Sequence, residues 1–212
     1  MWGAKSSTYT PAVEKWNRFG GRFDRYKKAN GGGHERAVSR TGGSWSRKYQ
    51  TEATGRSIID WDVAPTEEYF TELFRVSKNQ IIWGANYFYM PPTRCFIIWE
   101  KLSITEKFSM AMAEYAWTSF NSNAKIFKAA PQGNKSDPRF HPTQKPIALY
   151  EWLLNNYAKD GDTILDTHGG SMSSMIACHR LGFKATCCEI DDYYFDKAVE
   201  RIKREQSQLS LF

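Results

Sequence analysis

The side chains in this sequence that could bind a nucleotide-like cofactor lie around a pair of glycines. An apolar run at 163–165 ends in Asp166 and is soon followed by Gly169 and Gly170. Glycines allow positive φ angles and close approach of the backbone to a ligand. A second apolar run ends in Glu189, about 20 residues beyond the turn, where nucleotide-binding βαβ units carry the acid that binds ribose hydroxyls. The spacing therefore indicates a site for an adenosine-type cofactor.

Two strands and a helix must position these residues. The apolar runs at 163–165 and 183–188 predict strands, and residues 175–181 predict a helix between them. Three small residues can cap the start of this helix: Ser171, Ser173 and Ser174. Glycine turns with a downstream acid are common in α/β domains, so the turn alone is weak evidence for a cofactor.

The motif HPTQKP at residues 141–146 makes the glycine turn more specific. It comes immediately before a predicted amphipathic helix, whose apolar residues are Ile147, Leu149, Leu153, Leu154 and Tyr157. The order of the two motifs resembles that of the beta-class DNA amino-methyltransferases, adenine-specific or less often cytosine N4-specific enzymes common in phages and restriction systems. The resemblance spans residues 58–206, and the segments at 70–88, 91–101 and 114–120 are also similar to phage-borne members.

This resemblance implies a fold, a cofactor and a reaction. The fold would be α/β and Rossmann-like, as in S-adenosylmethionine-dependent methyltransferases, with a mixed, mostly parallel sheet and helices on both faces. S-adenosyl-L-methionine would donate a methyl group directly to the exocyclic amine of adenine in double-stranded DNA. Nine positions inherit a cofactor-binding role: His141, Thr143 and Lys145 near the methionine end, Asp166, His168, Gly169, Gly170 and Ser171 around the glycine loop, and Glu189 at the ribose.

The sequence departs from the family pattern at two places. Met172 stands where the family usually has a glycine, so a bulky side chain falls near the cofactor backbone, unless helical geometry holds it outward. The catalytic motif Asp-Pro-Pro-Tyr is not found. Its acid and a prolyl carbonyl would align the amine of a flipped base, and its aromatic ring would stack on that base. Pro91-Pro92 lacks the acid and the aromatic residue, and no catalytic residue is assigned.

Two interpretations of the missing motif remain open. The favoured one is a truncated or internally started chain whose catalytic motif would precede Met1. The other is an unrecognised substitute before or around Asp60 and Asp62, with Trp61 as a stacking platform. A different class of function also stays open, in which a catalytically inactive homologue acts as a DNA-binding or clamp-binding protein. Methylation of RNA or of a small molecule fits the motif order less well.

The net charge of +6 is concentrated at one end of the chain. Residues 1–56 carry 12 Lys or Arg against 4 Asp or Glu, whereas the remainder carries 17 against 19. The same segment contains three glycine runs and several aromatic residues, including Trp16, Tyr26 and Trp45. This composition is typical of a flexible arm that contacts phosphates and stacks on bases. The alternative is a disordered tail without a role in binding.

Length allows one α/β core, so sequence recognition would depend on short insertions. We predict a methyltransferase domain at 57–206 with a recognition insert at about 102–139. Within the insert, residues 114–120 and 124–128 predict short strands, and an ordinary β-hairpin is the alternative to base recognition. Before it, the pattern predicts a helix at 66–78 and buried strands at 80–83 and 95–99, with Asn86 near the target-base pocket by resemblance.

The C-terminal tail, residues 207–212, is similar to the peptides that bind the bacterial sliding clamp. Its anchors would be Gln208, Leu209, Leu211 and Phe212, and the alternatives are a tail folded on its own core or a chance pentapeptide. The four cysteines show no metal spacing and predict buried free thiols. No secretory signal or apolar run of membrane length is seen, so we expect a cytoplasmic protein of a bacterial or phage-infected cell.

Overall fold

The computed structural model describes residues 64–107, 110–131 and 137–207, which divide into two compact units. The first unit comprises residues 64–100 and 111–127, and the second comprises the other described residues. Their elements follow the chain as α1 (Glu67–Val76), β1 (Ile81–Trp83), β2 (Phe96–Lys101), β3 (Ala113–Thr118), β4 (Lys125–Ala129), α2 (Ile147–Tyr157), β5 (Thr163–Asp166), α3 (Ser173–Leu181), β6 (Lys184–Cys187) and α4 (Asp192–Ser207).

Helix α1 is an amphipathic helix with a capped beginning. The hydroxyl of Thr66 accepts a hydrogen bond from the backbone N–H of Tyr69, 3.4 Å away. Two acidic residues occupy its first turn and Arg75 its last, which suits the helix dipole. Phe70 and Phe74 point inward and are almost completely buried. The helix predicted over 66–78 is therefore confirmed, with ends one or two residues shorter.

A four-stranded sheet, in the order β1-β3-β2-β4, supports this helix. Strand β3 pairs antiparallel with both β1 and β2, so it lies inside the sheet, with Ala116 and Trp117 buried. Strands β3 and β4 are not neighbours, because β2 lies between them. The hairpin interpretation of the two strands predicted at 114–120 and 124–128 is therefore wrong, although both strands exist. Whether residues 102–139 recognise bases stays a prediction.

Aromatic side chains form the core of the first unit. The ring of Phe74 meets that of Trp117 edge-on, with centroids 5.8 Å apart. The indole N–H of Trp117 donates to the carbonyl oxygen of Pro91 at 2.7 Å, so its polar atom is satisfied inside the core. Asn86, expected at a strand end, lies exposed in a short 3-10 helix, Ala85–Tyr87, that follows β1.

The second unit contains a β-α-β arrangement built from β5, α3 and β6. The two strands run parallel, and Ile164 pairs with Ala185. These two side chains pack with Leu154 of α2 and with Ala177 and Cys178 of α3. The strands, the intervening helix and the helix at 147–157 are all confirmed. The β1–β3 and β2–β3 pairs are antiparallel and the β5–β6 pair is parallel. The chain is therefore an α/β protein with mixed strand directions, as predicted, whereas the predicted excess of parallel pairs is not seen among these three.

The structure confirms part of the prediction about the cysteines. All four cysteines are free thiols, as predicted, and Cys95 and Cys178 are buried. Cys187 is only half-buried and Cys188 is exposed, because β6 ends at Cys187 and the chain leaves the strand. The prediction that all four are buried is therefore wrong. Within the described ranges, no helix combines the length and apolar character needed to cross a membrane.

Candidate cofactor-binding site

The glycine loop lies where β5 and β6 end side by side. Beyond the last paired residues, the backbone N–H of Cys188 donates to the carbonyl oxygen of Asp166 at 2.9 Å. The N–H of Gly169 then donates to the carbonyl oxygen of Cys188 at 2.8 Å. These two bonds continue the contact between the chain segments past the strands. They bring Asp166, the glycine pair and Glu189 to one edge of the parallel pair, where α/β sheets bind ligands.

The carboxylate of Glu189 is fixed by two backbone groups. One oxygen accepts from the N–H of Gly170 at 2.6 Å, and the other accepts from the N–H of Asp191 at 3.0 Å. The acid predicted to bind a ribose therefore joins the glycine loop to the beginning of α4. A carboxylate has about four acceptor positions, so each oxygen retains the capacity for a further hydrogen bond from a ligand hydroxyl.

Both glycines occupy places where a side chain does not fit. A Cβ at Gly169 would overlap the Sγ of Cys187 and lie 3.2 Å from the carbonyl oxygen of Cys188. Gly170 has a φ of 53°, and a Cβ there would lie 3.1 Å from the Cε1 of His141. Left-handed backbone and tight packing together favour glycine at 170.

His141 lies beneath the glycine loop. Its ring is buried and meets that of Tyr194 edge-on, with centroids 4.3 Å apart. The backbone N–H of Thr143 donates to its Nδ1 at 3.2 Å, and the Thr143 hydroxyl lies 3.1 Å from the same atom. Burial, and then the nearby charges of Lys145 and Arg139, lower its pKa to about 3. The imidazole is therefore neutral at physiological pH and acts as a packed support for the loop.

Asp166 also holds the loop through its side chain. One carboxylate oxygen accepts from the backbone N–H of His168 at 3.1 Å. The other accepts from the hydroxyl of Ser174 at 2.5 Å, so the acid joins the end of β5 to the first turn of α3. His168 itself is exposed, and its Nδ1 lies 3.0 Å from the hydroxyl of Thr167.

The beginning of α3 differs from the expected cap. Met172 is the N-cap residue, has left-handed geometry with a φ of 53°, and gives no side-chain hydrogen bond. The alternative in which Met172 faces outward required helical geometry at this residue. Met172 is not helical, and its side chain is only 3% exposed. The three serines do not cap the helix in this structure. Ser171 and Ser173 lie 3.2 Å apart through their hydroxyl oxygens, and Ser174 donates to Asp166.

A buried arginine connects the HPTQKP segment to the glycine loop. Arg201 of α4 donates to the carbonyl oxygen of Ser171 at 2.8 Å and to the hydroxyl oxygen of Ser173 at 3.0 Å. Ser173 in turn donates to the carbonyl oxygen of Lys145 at 2.8 Å. Asp137 balances the charge of the guanidinium through two short hydrogen bonds. One side chain thus fixes parts of two motifs that are separate in sequence.

The structure brings most of the predicted site residues into contact with one another or with a shared neighbour. Contacts within the second unit join His141 to Gly170, Lys145 to Ser173 beside Ser171, and Gly170 to Glu189. Thr143 and His168 are exposed. The backbone N–H of Thr143 bonds to His141, and that of His168 bonds to Asp166. Asp60, Trp61 and Asp62, the candidates for a substitute catalytic motif, lie outside the described residues, as do the basic arm and the tail at 208–212.

Sequence reasoning missed the contributions of Arg201, Asp137 and Tyr194. One signal was present, because Tyr194, Ala198 and Arg201 follow helical spacing and are the buried residues of α4. A charged residue on a buried helical stripe is unusual unless it is paired. That pattern alone would have marked Arg201 as a residue with an internal partner.

Comparison with known proteins identifies a family and several relatives. The profile of the family N6_N4_Mtase, DNA methylase, matches residues 25–200. The type II methyltransferase M.HpaI of Haemophilus parainfluenzae is 37% identical over 65 residues, 31% of this chain and 21% of that protein. The chain thus matches about a fifth of the length of this curated relative.

Two solved methyltransferase structures are also similar. The M1.HpyAVI–SAM complex has 26% identity, a TM-score of 0.38, and coverage of 50% of this chain and 60% of that one. TTHA0409 of Thermus thermophilus, complexed with S-adenosyl-L-methionine, has 18% identity, a TM-score of 0.39, and coverage of 76% and 66%. The family profile covers well over half of the chain, and on that ground the protein belongs to the N6_N4_Mtase family of DNA methylases.

Proposed function

We propose that this protein is a DNA methyltransferase that transfers a methyl group from S-adenosyl-L-methionine to the exocyclic amine of adenine in double-stranded DNA. The carrying observation is the bond between Gly170 and Glu189, which fixes a carboxylate against a glycine loop at the end of two parallel strands. That arrangement suits a ligand with a ribose and a charged tail. Family membership supports DNA as the polymer.

The residues present fit such a cofactor in three respects. The glycine loop is packed closely on the chain beneath it, at the ends of the parallel strands, because a Cβ at Gly169 would overlap Cys187 and a Cβ at Gly170 would crowd His141. The carboxylate of Glu189 retains acceptor capacity for the ribose hydroxyls. Lys145 is half-buried, and its backbone is held next to the glycine loop because its carbonyl oxygen accepts a hydrogen bond from Ser173. When bound, S-adenosyl-L-methionine supplies an electrophilic methyl group on a sulfonium.

The nine predicted residues have two kinds of role in this proposal. Glu189 and the backbone of Gly169 and Gly170 would contact the cofactor directly, with Thr143, Lys145 and His168 lining its approach. His141, Asp166 and Ser171 would keep the loop in place, because His141 lies against Gly170 and the other two bond to Ser174 and Arg201. The exposed Thr143 and His168 are the positions where a substitution would least disturb folding.

The proposed partners extend to parts of the chain outside the described residues. The basic, aromatic-rich arm at 1–56 would contact DNA phosphates and bases. Binding of the tail to a sliding clamp, through Gln208, Leu209, Leu211 and Phe212, stays a prediction from the sequence. A cytoplasmic location in a bacterial or phage-infected cell follows from the same proposal, since the substrate is DNA.

The direct test is transfer of labelled methyl from S-adenosyl-L-methionine to unmethylated double-stranded DNA, with RNA in parallel. Digestion to nucleosides and mass spectrometry then separates N6-methyladenine from N4-methylcytosine. Glu189→Ala is expected to weaken cofactor binding by at least about tenfold, because hydrogen bonds to a charged acceptor are lost. Glu200→Ala is the matched control, since that carboxylate is exposed on α4 and forms an ion pair with Lys197, which is not a residue of the glycine loop.

The outcomes separate the proposal from its alternatives. Methylated adenine that depends on Glu189 supports it and makes Asp60 and Asp62 the next substitutions. Saturable cofactor binding without methyl transfer to either polymer would favour the catalytically inactive, DNA-binding homologue. Methylation of RNA in preference to DNA would overturn the choice of polymer. Absence of cofactor binding by folded protein would overturn the cofactor assignment itself.

A further inference from the structure

Arg201 occupies a position that a charged side chain rarely takes. It lies on the buried stripe of α4 with Tyr194 and Ala198, and only 4% of it is exposed. Removing a guanidinium from water costs several kcal/mol unless its donors are bonded. Its partners therefore show what the structure gains by retaining a charge at this point.

Those partners belong to three different chain segments. Asp137 receives two hydrogen bonds from the guanidinium, at 2.7 and 2.5 Å, and lies before the HPTQKP motif. The carbonyl oxygen of Ser171 ends the glycine loop, and Ser173 begins α3 while donating to Lys145. A two-residue ion pair would need only Asp137. The two further bonds instead reach the end of the glycine loop and the start of α3, and the bond to the Ser171 carbonyl oxygen holds the backbone directly after Gly170.

A second arginine in the same unit provides the contrast. Arg180, at the end of α3, forms ion pairs with Glu205 at 2.6 Å and with Glu151 at 3.0 Å. Its side chain is 42% exposed, and these partners are carboxylates of other helices. Arg180 therefore joins helices at the surface. Arg201 has similar bond lengths but reaches the end of the loop that is proposed to bind the cofactor.

We propose that Arg201, charge-balanced by Asp137, is a positioning residue that holds the glycine loop in its cofactor-binding conformation. This inference rests on the proposed function of that loop. The planar guanidinium presents several donors in a fixed fork, so it can bond a carboxylate, a carbonyl oxygen and a hydroxyl at once. Lysine keeps the charge but not the fork. An arginine, and not merely a cation, is required.

The test compares S-adenosyl-L-methionine affinity by calorimetry with thermal stability in the full chain. Arg201→Lys should raise the Kd by about tenfold or more, because the loop loses a charge-assisted bond at Ser171. The double variant Arg201→Met with Asp137→Asn removes both charges together, which avoids leaving the half-buried Asp137 carboxylate with only the exposed Arg204, 4.0 Å away. It should retain a melting temperature close to that of the parent protein and still bind the cofactor about tenfold more weakly. Arg180→Lys is the control and should leave the Kd unchanged.

Steady-state kinetics distinguishes a displaced loop from a general loss of folding, because the two change different kinetic constants. Fewer folded molecules lower the apparent kcat and leave the KM unchanged, whereas a displaced loop raises the KM for the cofactor and not that for DNA. A raised cofactor KM in both Arg201 variants supports the inference. Folded Arg201 variants with the parental Kd would overturn it and leave the proposed function intact. A parent protein that binds no cofactor would overturn both.

Discussion

Each of the two units of this molecule has its own kind of buried side chain. In the first unit the centre of the core is aromatic and aliphatic, with Phe70, Phe74 and Trp117, although three polar residues are also buried there: Gln80, Thr118 and Ser119. In the second, the surroundings of the glycine loop bury a series of polar groups: His141, Gln144, Ser171, Ser173, Ser174, Asp191 and Arg201. Aromatic packing is tolerant of small shifts, whereas each buried polar atom requires a partner in a defined direction.

The difference indicates where the fold needs precision. Apolar burial stabilises a scaffold roughly in proportion to its area and specifies no exact backbone position. Buried hydrogen bonds contribute little net stability each, yet they penalise displacement of their donors and acceptors. The second unit places such bonds on the backbone of Ser171 and Gly170 and on the carbonyl oxygen of Lys145. It therefore uses polar burial to fix a loop, and the first unit uses apolar burial to hold a sheet.

Phe74→Ala tests the scaffold side of the comparison and should have the largest effect on stability. Loss of a fully buried aromatic ring that contacts Trp117 should lower the free energy of unfolding by about 3–5 kcal/mol. Denaturant titration measures this change, and calorimetry measures cofactor affinity on the folded protein. The Kd for cofactor should stay within about twofold, because the loop bonds are unaffected. A large rise in the Kd would show that packing in the first unit also determines the conformation of the glycine loop.

Gly169→Ala tests the precision of the loop and should have the next largest effect. The new Cβ would overlap the Sγ of Cys187, and relieving the overlap should cost about 1–3 kcal/mol of stability or cofactor binding. Thermal melts and cofactor titrations of the same samples divide the loss between the two. Cys187→Ala in the same chain removes the overlapping sulfur and should restore much of the loss. A double variant as impaired as the single one would locate the conflict at the other two close atoms, the Cys188 carbonyl oxygen and the Cγ of Met172, each 3.2 Å away.

The buried imidazole of His141 should make stability depend on pH. Its folded pKa of about 3 lies below the ordinary value of 6.5, so its contribution is present above pH 6.5 and is lost as the pH falls toward 3. Between pH 7 and pH 5.5 the parent should lose about 1 kcal/mol of stability that the non-titrating variant His141→Gln does not lose. Denaturant titrations of both proteins at the two pH values give the difference. Parallel losses in both proteins would contradict a buried neutral histidine.

Arg180→Met tests partly exposed ion pairs against the buried polar contacts, and it should have the smallest effect on stability. The ion pairs of Arg180 with Glu151 and Glu205 are partly exposed, so their removal should change stability by less than about 1 kcal/mol. The change should shrink further in high salt, because exposed charges are screened. Thermal melts at low and high ionic strength measure both effects. A salt-independent loss of several kcal/mol would mean that this surface pair behaves like the buried one at Arg201.

The sequence predicted the local elements of the second unit well, because each carries its own signal. The strand that ends at Asp166, the following glycines and the helix over 147–157 are all marked by local periodicity and turn residues. Pairing between distant strands carries no such signal. The place of β3 between β1 and β2 depends on contacts across more than thirty residues, such as Ile81 with Thr118, and local patterns are silent about it.

The contacts of the candidate site residues were predictable to the extent that they follow from spacing along the chain, and their roles at a cofactor stay predictions. Glu189 and the glycine pair follow from spacing, and their contacts in the structure fit that spacing. The cooperation of Arg201 with Asp137 joins positions 64 residues apart, and it depends on packing that only the folded chain provides. Met172 illustrates the same limit, because its left-handed geometry contradicts the ordinary preference of a bulky residue.

The two adjacent cysteines at the end of β6 have a practical consequence for spectroscopy. Burial raises the pKa of the Cys187 thiol to about 12, so little of the reactive thiolate forms at neutral pH, and Cys95 and Cys178 are buried. Cys188 is exposed and directly precedes Glu189. A maleimide dye should therefore modify Cys188 before the other three thiols. The unaltered sequence thus offers an attachment point for a fluorescent reporter one residue from the acid that is proposed to bind the ribose.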